Sequence, residues 1–185
     1  MWVTPSLITA WINMAGGPQR PGWLDDPLLK ALYSPAQIEQ YWGAPLKKMT
    51  PGQVAKAKEA FMADGKNMMM LRAAGMKVVG GTDTGQTRHL VAFQNHLDLE
   101  SMVAMGMTPM EAIKAATSDG AAMGHFNTGL VAPGRNADFL VLNANPLDSI
   151  SNTRKIDKVY LRGDEVPRTQ YAAGWQAKLK TAAAH

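Results

Sequence analysis

The sequence predicts an α/β fold built on parallel strands, followed by a β-rich segment near the carboxyl end. A long helical pattern at residues 51–74 is followed at once by Gly75 and an apolar run at residues 76–82. A candidate strand at residues 2–7 precedes them, and the order β-α-β implies parallel strands joined by a crossover. From residue 126 to residue 167, short strand patterns and turn residues replace the helices.

Length and composition indicate one globular domain of ordinary size. The chain has 185 residues, of which 46% are hydrophobic and 18% are charged, as in folded proteins. A complete eight-stranded β/α barrel takes about 250 residues, so the chain is short for one. The absence of cysteine excludes disulfide bonds and thiolate metal ligands.

Charge and hydropathy argue against nucleic-acid and membrane partners. The net charge is +4, and the basic residues are scattered rather than gathered into a stripe. No apolar run approaches the ~20 residues of a membrane span, and the first residues do not form a signal peptide. The compartment stays undecided, with the cytoplasm slightly favoured over export. Because the chain begins abruptly with a strand pattern, we expect that its natural beginning is missing.

The segment at residues 77–85, Lys-Val-Val-Gly-Gly-Thr-Asp-Thr-Gly, is the strongest candidate for a functional site. Its apolar residues are typical of a buried parallel strand, and the glycines allow a sharp bend and close approach. Asp83 is then expected just past the carboxyl end of the strand with its side chain facing a cleft, at the edge where α/β enzymes place their chemistry. The alternative is that Asp83 is an ordinary turn former.

Several helix starts are marked by capping residues. In each, a side chain that accepts a hydrogen bond precedes a proline at the first helical position. The pattern occurs four times: Asp26-Pro27, Ser34-Pro35, Thr50-Pro51 and Thr108-Pro109. The last three also have Gln or Glu three residues after the cap, which predicts capping boxes. Between the first strand and these helices, residues 13–27 are rich in Gly and Pro and predict a loop.

The histidines are weak candidates for metal ligands. A helix is expected from about His89 to Met105, and His96 shares one stripe of it with Ala92, Leu99 and Val103. On such a face a histidine is more often a hydrogen-bonded core residue than a ligand. His89 lies nearer the expected mouth of the site, but in a loop. His125 ends a helix, where its charge suits the helix dipole.

The β-rich segment has readable turns and strands. Pro133-Gly134 predicts a β-turn, and strands are expected at residues 139–142 and near residues 156–161. Asp138 follows the turn and is expected to pair with backbone groups. Residues 170–180 can form a final amphipathic helix with a frayed end.

The order of these motifs resembles the C-terminal portion of a metal-dependent amidohydrolase, most closely the imidazolonepropionase-related branch. Residues 2–7 resemble a late barrel strand, and residues 74–85 resemble the last barrel strand with its aspartate. Further matches lie at residues 96–99, 107–117, 129–142, 145–147 and 152–154. The resemblance covers about residues 2–167 and depends on the order and spacing of the motifs.

The resemblance implies an α/β fold made of the last βα units of an amidohydrolase-type (β/α)₈, TIM-like barrel, incomplete in this chain. These units would occupy residues 1–125, the C-terminal part of a composite β-sandwich residues 126–168, and a helical tail residues 169–185. It also implies hydrolysis of carbon–nitrogen bonds in small amide, lactam or dipeptide-like substrates with one or two divalent metal ions, zinc being the expected one. Asp83 matches the aspartate that binds metal and handles the proton in the family.

The chain departs from the family in its other metal ligands. It has no His-x-His, and none of its four histidines stands at a family ligand position: His89, His96, His125 and His185. We therefore expect an inactive fragment that binds zinc poorly, unless a complementing chain or a second copy supplies the missing ligands. The alternative is a non-catalytic module or degenerate subunit that binds a partner through an open sheet edge.

Overall fold

The computed structural model describes residues 1–4, 7–83 and 90–182 of the chain. Its helices are α1 (Ile8–Met14), α2 (Pro27–Leu32), α3 (Pro35–Tyr41), α4 (Pro51–Ala73), α5 (Gln94–Ala104), α6 (Pro109–Ala116), α7 (Ser118–Met123) and α8 (Arg168–Ala182). Its strands are β1 (Trp2–Val3), β2 (Lys77–Val78), β3 (Phe139–Leu142), β4 (Ile156–Leu161) and β5 (Asp164–Glu165). Short 3₁₀ segments lie at Gly22–Asp25 and Ile150–Arg154, and a π-helical turn lies at Trp42–Leu46.

The predicted parallel strands are present but short. β1 pairs with β2 in parallel, with Val3 opposite Val78. The Val79 N–H donates to the Val3 carbonyl over 3.0 Å, so the pairing extends one residue past β2. The next N–H, that of Gly80, donates instead to the Ala115 carbonyl on α6 over 3.2 Å. The strand predicted over residues 76–82 therefore ends early, because a helix takes over its backbone donor.

The first strand also ends earlier than residue 7. Leu7 already has helical backbone angles as the N-cap of α1. Ile8 and Ile12 on that helix are buried at 1% and 6% exposure. Burying these two side chains favours a helix in this position, and the strand predicted over residues 2–7 stops at Val3.

The predicted helix starts are confirmed. The Asp26 side chain accepts a hydrogen bond from the Leu28 N–H over 2.9 Å. All three capping boxes form, each with a proline in the first turn: Ser34 with Gln37, Thr50 with Gln53, and Thr108 with Glu111. The long helix runs over Pro51–Ala73, and Gly75 follows it at φ 90°, the left-handed conformation that favours glycine.

The prediction for α5 was wrong about both its start and its buried face. The helix begins at Gln94, and Ala92 before it is exposed with φ 68°. The stripe through His96 is only half-buried. The fully buried face consists of Gln94, Leu97, Asp98, Ser101 and Met102. Three of these five side chains are polar. The spacing of apolar residues therefore indicated the neighbouring, half-buried side of the helix as the buried one.

The β-rich segment forms one antiparallel sheet in the order β3-β4-β5. Phe139 on β3 lies opposite Tyr160 on β4, and their rings stack with centroids 4.6 Å apart. The Arg135 N–H donates to the Ala132 carbonyl over 3.2 Å, closing the predicted turn around Pro133-Gly134. The predicted strands at 139–142 and 156–161 are confirmed.

The tail forms helix α8, as predicted, but it is not amphipathic in its packing. Its described side chains are exposed except for that of Arg168, which is partly shielded. Trp175 makes one anchoring contact, since its indole N–H donates to the Leu32 carbonyl over 2.7 Å. Among the described residues no helix is long and apolar enough to cross a lipid bilayer.

Two apolar clusters form the core, and α5 contributes to both. The first cluster gathers α1, α2, α3 and the π-helical turn around Phe93 and Leu97. The second gathers α4, β2 and α6 around Met102, and it includes Ile150 from the segment before β4. Because α5 lies in both clusters, its rotation about its axis and its position along that axis are set by two independent packing surfaces.

A largely buried ion cluster joins the two halves of the chain. Arg154 lies 2.9 Å from the Asp26 carboxylate through Nε, a charge contact without hydrogen-bond alignment, and also donates to Glu100 on α5. The three side chains are 14%, 17% and 17% exposed. Burial raises the pKa of Glu100, and Arg154 opposes that shift. The guanidinium also lies over the Phe93 ring, 5.7 Å from its centroid.

We predict that Arg154→Met destabilises the chain strongly. It leaves two buried carboxylates without their cation, and such losses typically cost about 3 kcal/mol. The matched control is Arg20→Met, because Arg20 forms exposed ion pairs with Asp25 and Glu39, which are worth less than about 1 kcal/mol. Urea unfolding measures both. Equal losses of unfolding free energy in the two variants would show that the buried ion cluster contributes no more to stability than an exposed ion pair.

Candidate active site

Asp83 lies five residues past Val78, the last residue of β2, and is exposed. Asp83 therefore follows the carboxyl end of a parallel strand, as predicted, but five residues after the strand and not directly after it. Asp83 has φ 49°, a left-handed conformation that few residues other than glycine adopt and that aspartate tolerates better than most. Such conformations are common at functional sites. That its side chain faces a cleft stays a prediction, and His89 lies outside the described residues.

Gly81 permits a close approach between the ends of the two strands. A Cβ at this position would lie 2.2 Å from Cγ2 of Thr4, which directly follows β1. No real Cβ contact is that short, so a side chain at position 81 would force the methyl group of Thr4 to move. Glycine at position 81 thus leaves room for the Thr4 side chain where the two strands end.

Three side chains of α5 hold the backbone that leads into Asp83. The Gly81 N–H donates to Asp98 Oδ2 over 3.1 Å, and Gln94 Nε2 donates to the Thr82 carbonyl over 3.3 Å. The Thr82 hydroxyl donates weakly to Asn95 Oδ1 over 3.4 Å. Gln94 and Asp98 are 0% and 3% exposed. The peptide groups Gly80–Gly81 and Thr82–Asp83 are therefore both tied to one helix.

Sequence reasoning missed Asp98 and Gln94. They lie four residues apart, so they share a face of α5 and can reach neighbouring peptide groups. The spacing of positions 94, 97, 98, 101 and 102 is that of a buried helix face, and this was the available signal. It was hidden because carboxylate and amide side chains are normally exposed.

Burial of these polar groups is incompletely compensated. Burial raises the pKa of Asp98 to about 6, and the hydrogen bond from Gly81 opposes that rise. Within the part of the chain that the structure describes, Asp98 Oδ1 and Gln94 Oε1 are buried without a hydrogen-bond partner. A buried unsatisfied acceptor costs about 1–3 kcal/mol. The fold therefore keeps this arrangement at a cost in stability.

His96 is a hydrogen-bonded structural residue, as predicted, although its side of α5 is only half-buried. Its Nδ1 lies 3.0 Å from the Thr153 hydroxyl, which itself donates to the Ile150 carbonyl over 2.8 Å. Because the hydroxyl proton is used there, His96 Nδ1 carries a proton and donates to Thr153. Burial is the main cause that lowers the pKa of His96 to about 4, and the Arg154 charge adds to it.

The other candidate residues are structural or exposed. Asp138 accepts from the Arg162 N–H over 2.7 Å and from the Thr128 hydroxyl over 2.8 Å, so its predicted pairing with backbone is confirmed. These two hydrogen bonds lower the pKa of Asp138. His125 follows α7 in an exposed, left-handed position at φ 55°.

Comparison with known proteins decides the family. A sequence model of the amidohydrolase family matches residues 49–166, which is more than half of the chain. The chain belongs to the amidohydrolase family. No curated protein sequence matches it. The resemblance at the level of the family is confirmed, whereas the imidazolonepropionase-related branch stays a prediction.

Solved structures show the same fold over most of this amidohydrolase chain. A bottromycin amidohydrolase has a TM-score of 0.70 at 19% identity, covering 98% of this chain and 40% of its own. A Bifidobacterium longum protein provisionally assigned as a prolidase has a TM-score of 0.61 at 24% identity, covering 97% and 39%. Phenylurea hydrolase B has a TM-score of 0.52 at 25% identity, covering 88% and 35%.

The chain spans about two fifths or less of the length of these structures. The fold class is confirmed as part of an amidohydrolase-type barrel with its sheet extension. The division at residues 125/126 and 168/169 stays a prediction. β3, β4 and β5 lie within the segment assigned to the sandwich.

The described residues do not hold a metal ion by themselves. No three His, Asp or Glu side chains within residues 1–4, 7–83 and 90–182 come together as a ligand set. A catalytic metal needs about three protein ligands. Asp83 can therefore supply one ligand of a metal site but does not form one alone.

We predict that Asp98 and His96 make opposite contributions to the pH dependence of the free energy of unfolding of this amidohydrolase chain. The pKa of Asp98 is raised from 3.8 to about 6, so its contribution is present at low pH and is lost as pH rises through about 6. The pKa of His96 is lowered from 6.5 to about 4, so its contribution is present above 6.5 and is lost as pH falls through about 4.

The measurement compares urea midpoints of the wild type with those of Asp98→Asn and His96→Gln at several pH values between about 4 and 6.5. Relative to the wild type, Asp98→Asn should gain stability as pH rises, and His96→Gln should lose it. Parallel profiles for all three proteins would refute the assignment of these groups.

Proposed function

We propose that the complete protein hydrolyses a carbon–nitrogen bond in a small amide, lactam or dipeptide-like substrate, and that Asp83 is its proton-transfer residue. The observation that carries the proposal is an exposed carboxylate on the segment that follows a parallel strand, in a chain of the amidohydrolase family. Among the structural relatives, phenylurea hydrolase B supports the bond class, because its name refers to a urea, which contains such bonds.

The reaction needs a group that accepts a proton from water and then donates a proton to the leaving nitrogen. Attack of water on the carbonyl carbon releases a proton, and the leaving nitrogen must gain one before the bond to carbon breaks. An exposed carboxylate within reach of both atoms can accept the first proton and deliver the second. Asp83 has the required side chain, and the backbone leading to it is held by α5 at the Gly81 N–H and the Thr82 carbonyl.

A divalent metal is part of the proposal but not of this chain's own site. In such enzymes the metal lowers the pKa of water to about 7, and zinc is the ion we expect. Asp83 would contribute one ligand, and polypeptide outside these 185 residues, or a second copy, would contribute the others. The proposal therefore includes that the 185 residues alone are inactive.

We predict that Asp83→Asn nearly abolishes turnover in the joined protein, in which this chain is combined with polypeptide that supplies the other barrel strands, as a longer chain or as a complementing one. Asparagine has almost the same size, so the fold stays intact, but it cannot accept a proton as carboxylate does. Loss of proton transfer costs about 10²–10⁴ in kcat. The assay uses amide, dipeptide and urea substrates, with thermal melts to check folding.

The matched control is Asp64→Asn, which removes an exposed carboxylate on α4 and should leave turnover unchanged. Near-normal turnover of Asp83→Asn would show that Asp83 is not the proton-transfer residue. A folded, joined protein that hydrolyses no such substrate would favour the alternative of a partner-binding module.

We also predict different zinc affinities for the chain and the joined protein. Calorimetric titration should show a tight stoichiometric site in the joined protein and none in the 185 residues. A tight site in the short chain alone would contradict the ligand count.

A further inference from the structure

The contact between α5 and the segment before Asp83 is polar where an apolar contact would be more stable. On the buried face of α5, Leu97 and Met102 are apolar and completely buried. Between them lies Asp98, and one turn earlier lies Gln94, both buried. Each of these two side chains has one oxygen without a partner among the described residues. Packing alone does not account for them, because buried polar groups of this kind reduce stability.

What the two side chains achieve is control of two of the three peptide groups between Gly80 and Asp83, the first and the last. Asp98 accepts from the Gly81 N–H, and Gln94 donates to the Thr82 carbonyl. Thr82 is itself only 7% exposed. The rotation of the peptide that enters Asp83 is therefore set from α5, and an apolar side chain could not set it.

Asp83 needs such control because of its backbone. Its φ of 49° lies in a region that an ordinary residue leaves unless its surroundings hold it there. Catalysis needs a carboxylate held close to one position, and a displacement of about 1 Å can cost 10²-fold in rate. The hydrogen bonds to the Gly81 N–H and the Thr82 carbonyl provide this control, because they come from a helix that is packed in the core.

We propose that Asp98 and Gln94 are positioning residues that hold the backbone of Asp83 in its left-handed conformation. The role in turnover follows only if the proposed function is right. The role in backbone geometry does not depend on it. The experiment therefore has two readouts, one of geometry in the 185-residue chain and one of turnover in the joined protein.

The first variant pair separates the hydrogen bond from the charge and the volume. Asp98→Asn keeps an acceptor for the Gly81 N–H, whereas Asp98→Leu has a similar size and no acceptor. Gln94→Met removes the donor to Thr82 at similar shape, and it serves as a second variant if Asp98→Leu does not fold. The control is Met102→Leu, since Met102 is buried on the same face of α5 but packs in an apolar cluster.

Geometry is measured by NMR on the 185-residue chain. In Asp98→Leu the Gly81 amide proton should exchange about tenfold faster, as expected for loss of a hydrogen bond to a carboxylate. The three-bond coupling between the amide and α protons of Asp83 should change in Asp98→Leu and Gln94→Met. Asp98→Asn and Met102→Leu should keep the wild-type values. Unchanged exchange and coupling in both Asp98→Leu and Gln94→Met would overturn the proposal.

Turnover separates positioning from a merely structural role. In the joined protein, Asp98→Leu should lower kcat by about 10²-fold with little change in KM, and Asp98→Asn should restore most of it. A change in geometry with normal kcat would overturn the positioning role. If the wild-type protein itself turns over no substrate, the proposed function fails, and the coupling of Asp83 still decides the geometric part.

Discussion

The burial of α5 between two apolar clusters is the constraint on which the rest of the structure depends. Leu97 packs in one cluster and Met102 in the other, so the helix cannot rotate without opening both. Because the helix is fixed, its polar side chains hold the groups that they bind in fixed positions. Asp98 reaches the end of β2, and Glu100 reaches Arg154 in the β-rich segment. A single helix thus connects the core, the candidate site and the sheet extension.

The electrostatics of α5 follow from the same burial. Burial disfavours a charged form whatever its sign, so it raises the pKa of Asp98 and lowers the pKa of His96, two residues away. Glu100 keeps its partner Arg154, and that cation also faces Asp26 and the Phe93 ring. The helix therefore carries a neutral-favouring carboxyl group on its fully buried face, and a neutral-favouring histidine beside the compensated ion cluster on its half-buried side.

Stability and site geometry are in conflict at the end of β2. Gly81 allows Thr4 to approach, Asp83 adopts a left-handed conformation, and two buried oxygens lack described partners. Each feature reduces stability compared with an idealised strand and helix. Such local violations concentrate at functional sites, because selection there acts on geometry as well as on folding. Elsewhere, as at the three capping boxes, local preference and fold agree.

The sequence by itself determined the features that depend on neighbours in the chain. A capping box needs two residues three positions apart, and the strand pattern of residues 139–142 depends on the residues themselves, so both were predicted correctly. The order of such local motifs was also enough to predict the family and to select Asp83 as the candidate.

Only the tertiary structure decided where the strands end and which face of α5 is buried. β2 stops because Gly80 donates to a carbonyl 35 positions away, and Asp98 is buried because a strand end offers it an N–H from 17 positions away. No local pattern encodes these partners. Their positions follow from the packing of two clusters, and polar residues on a buried face break the apolar periodicity by which such a face is recognised.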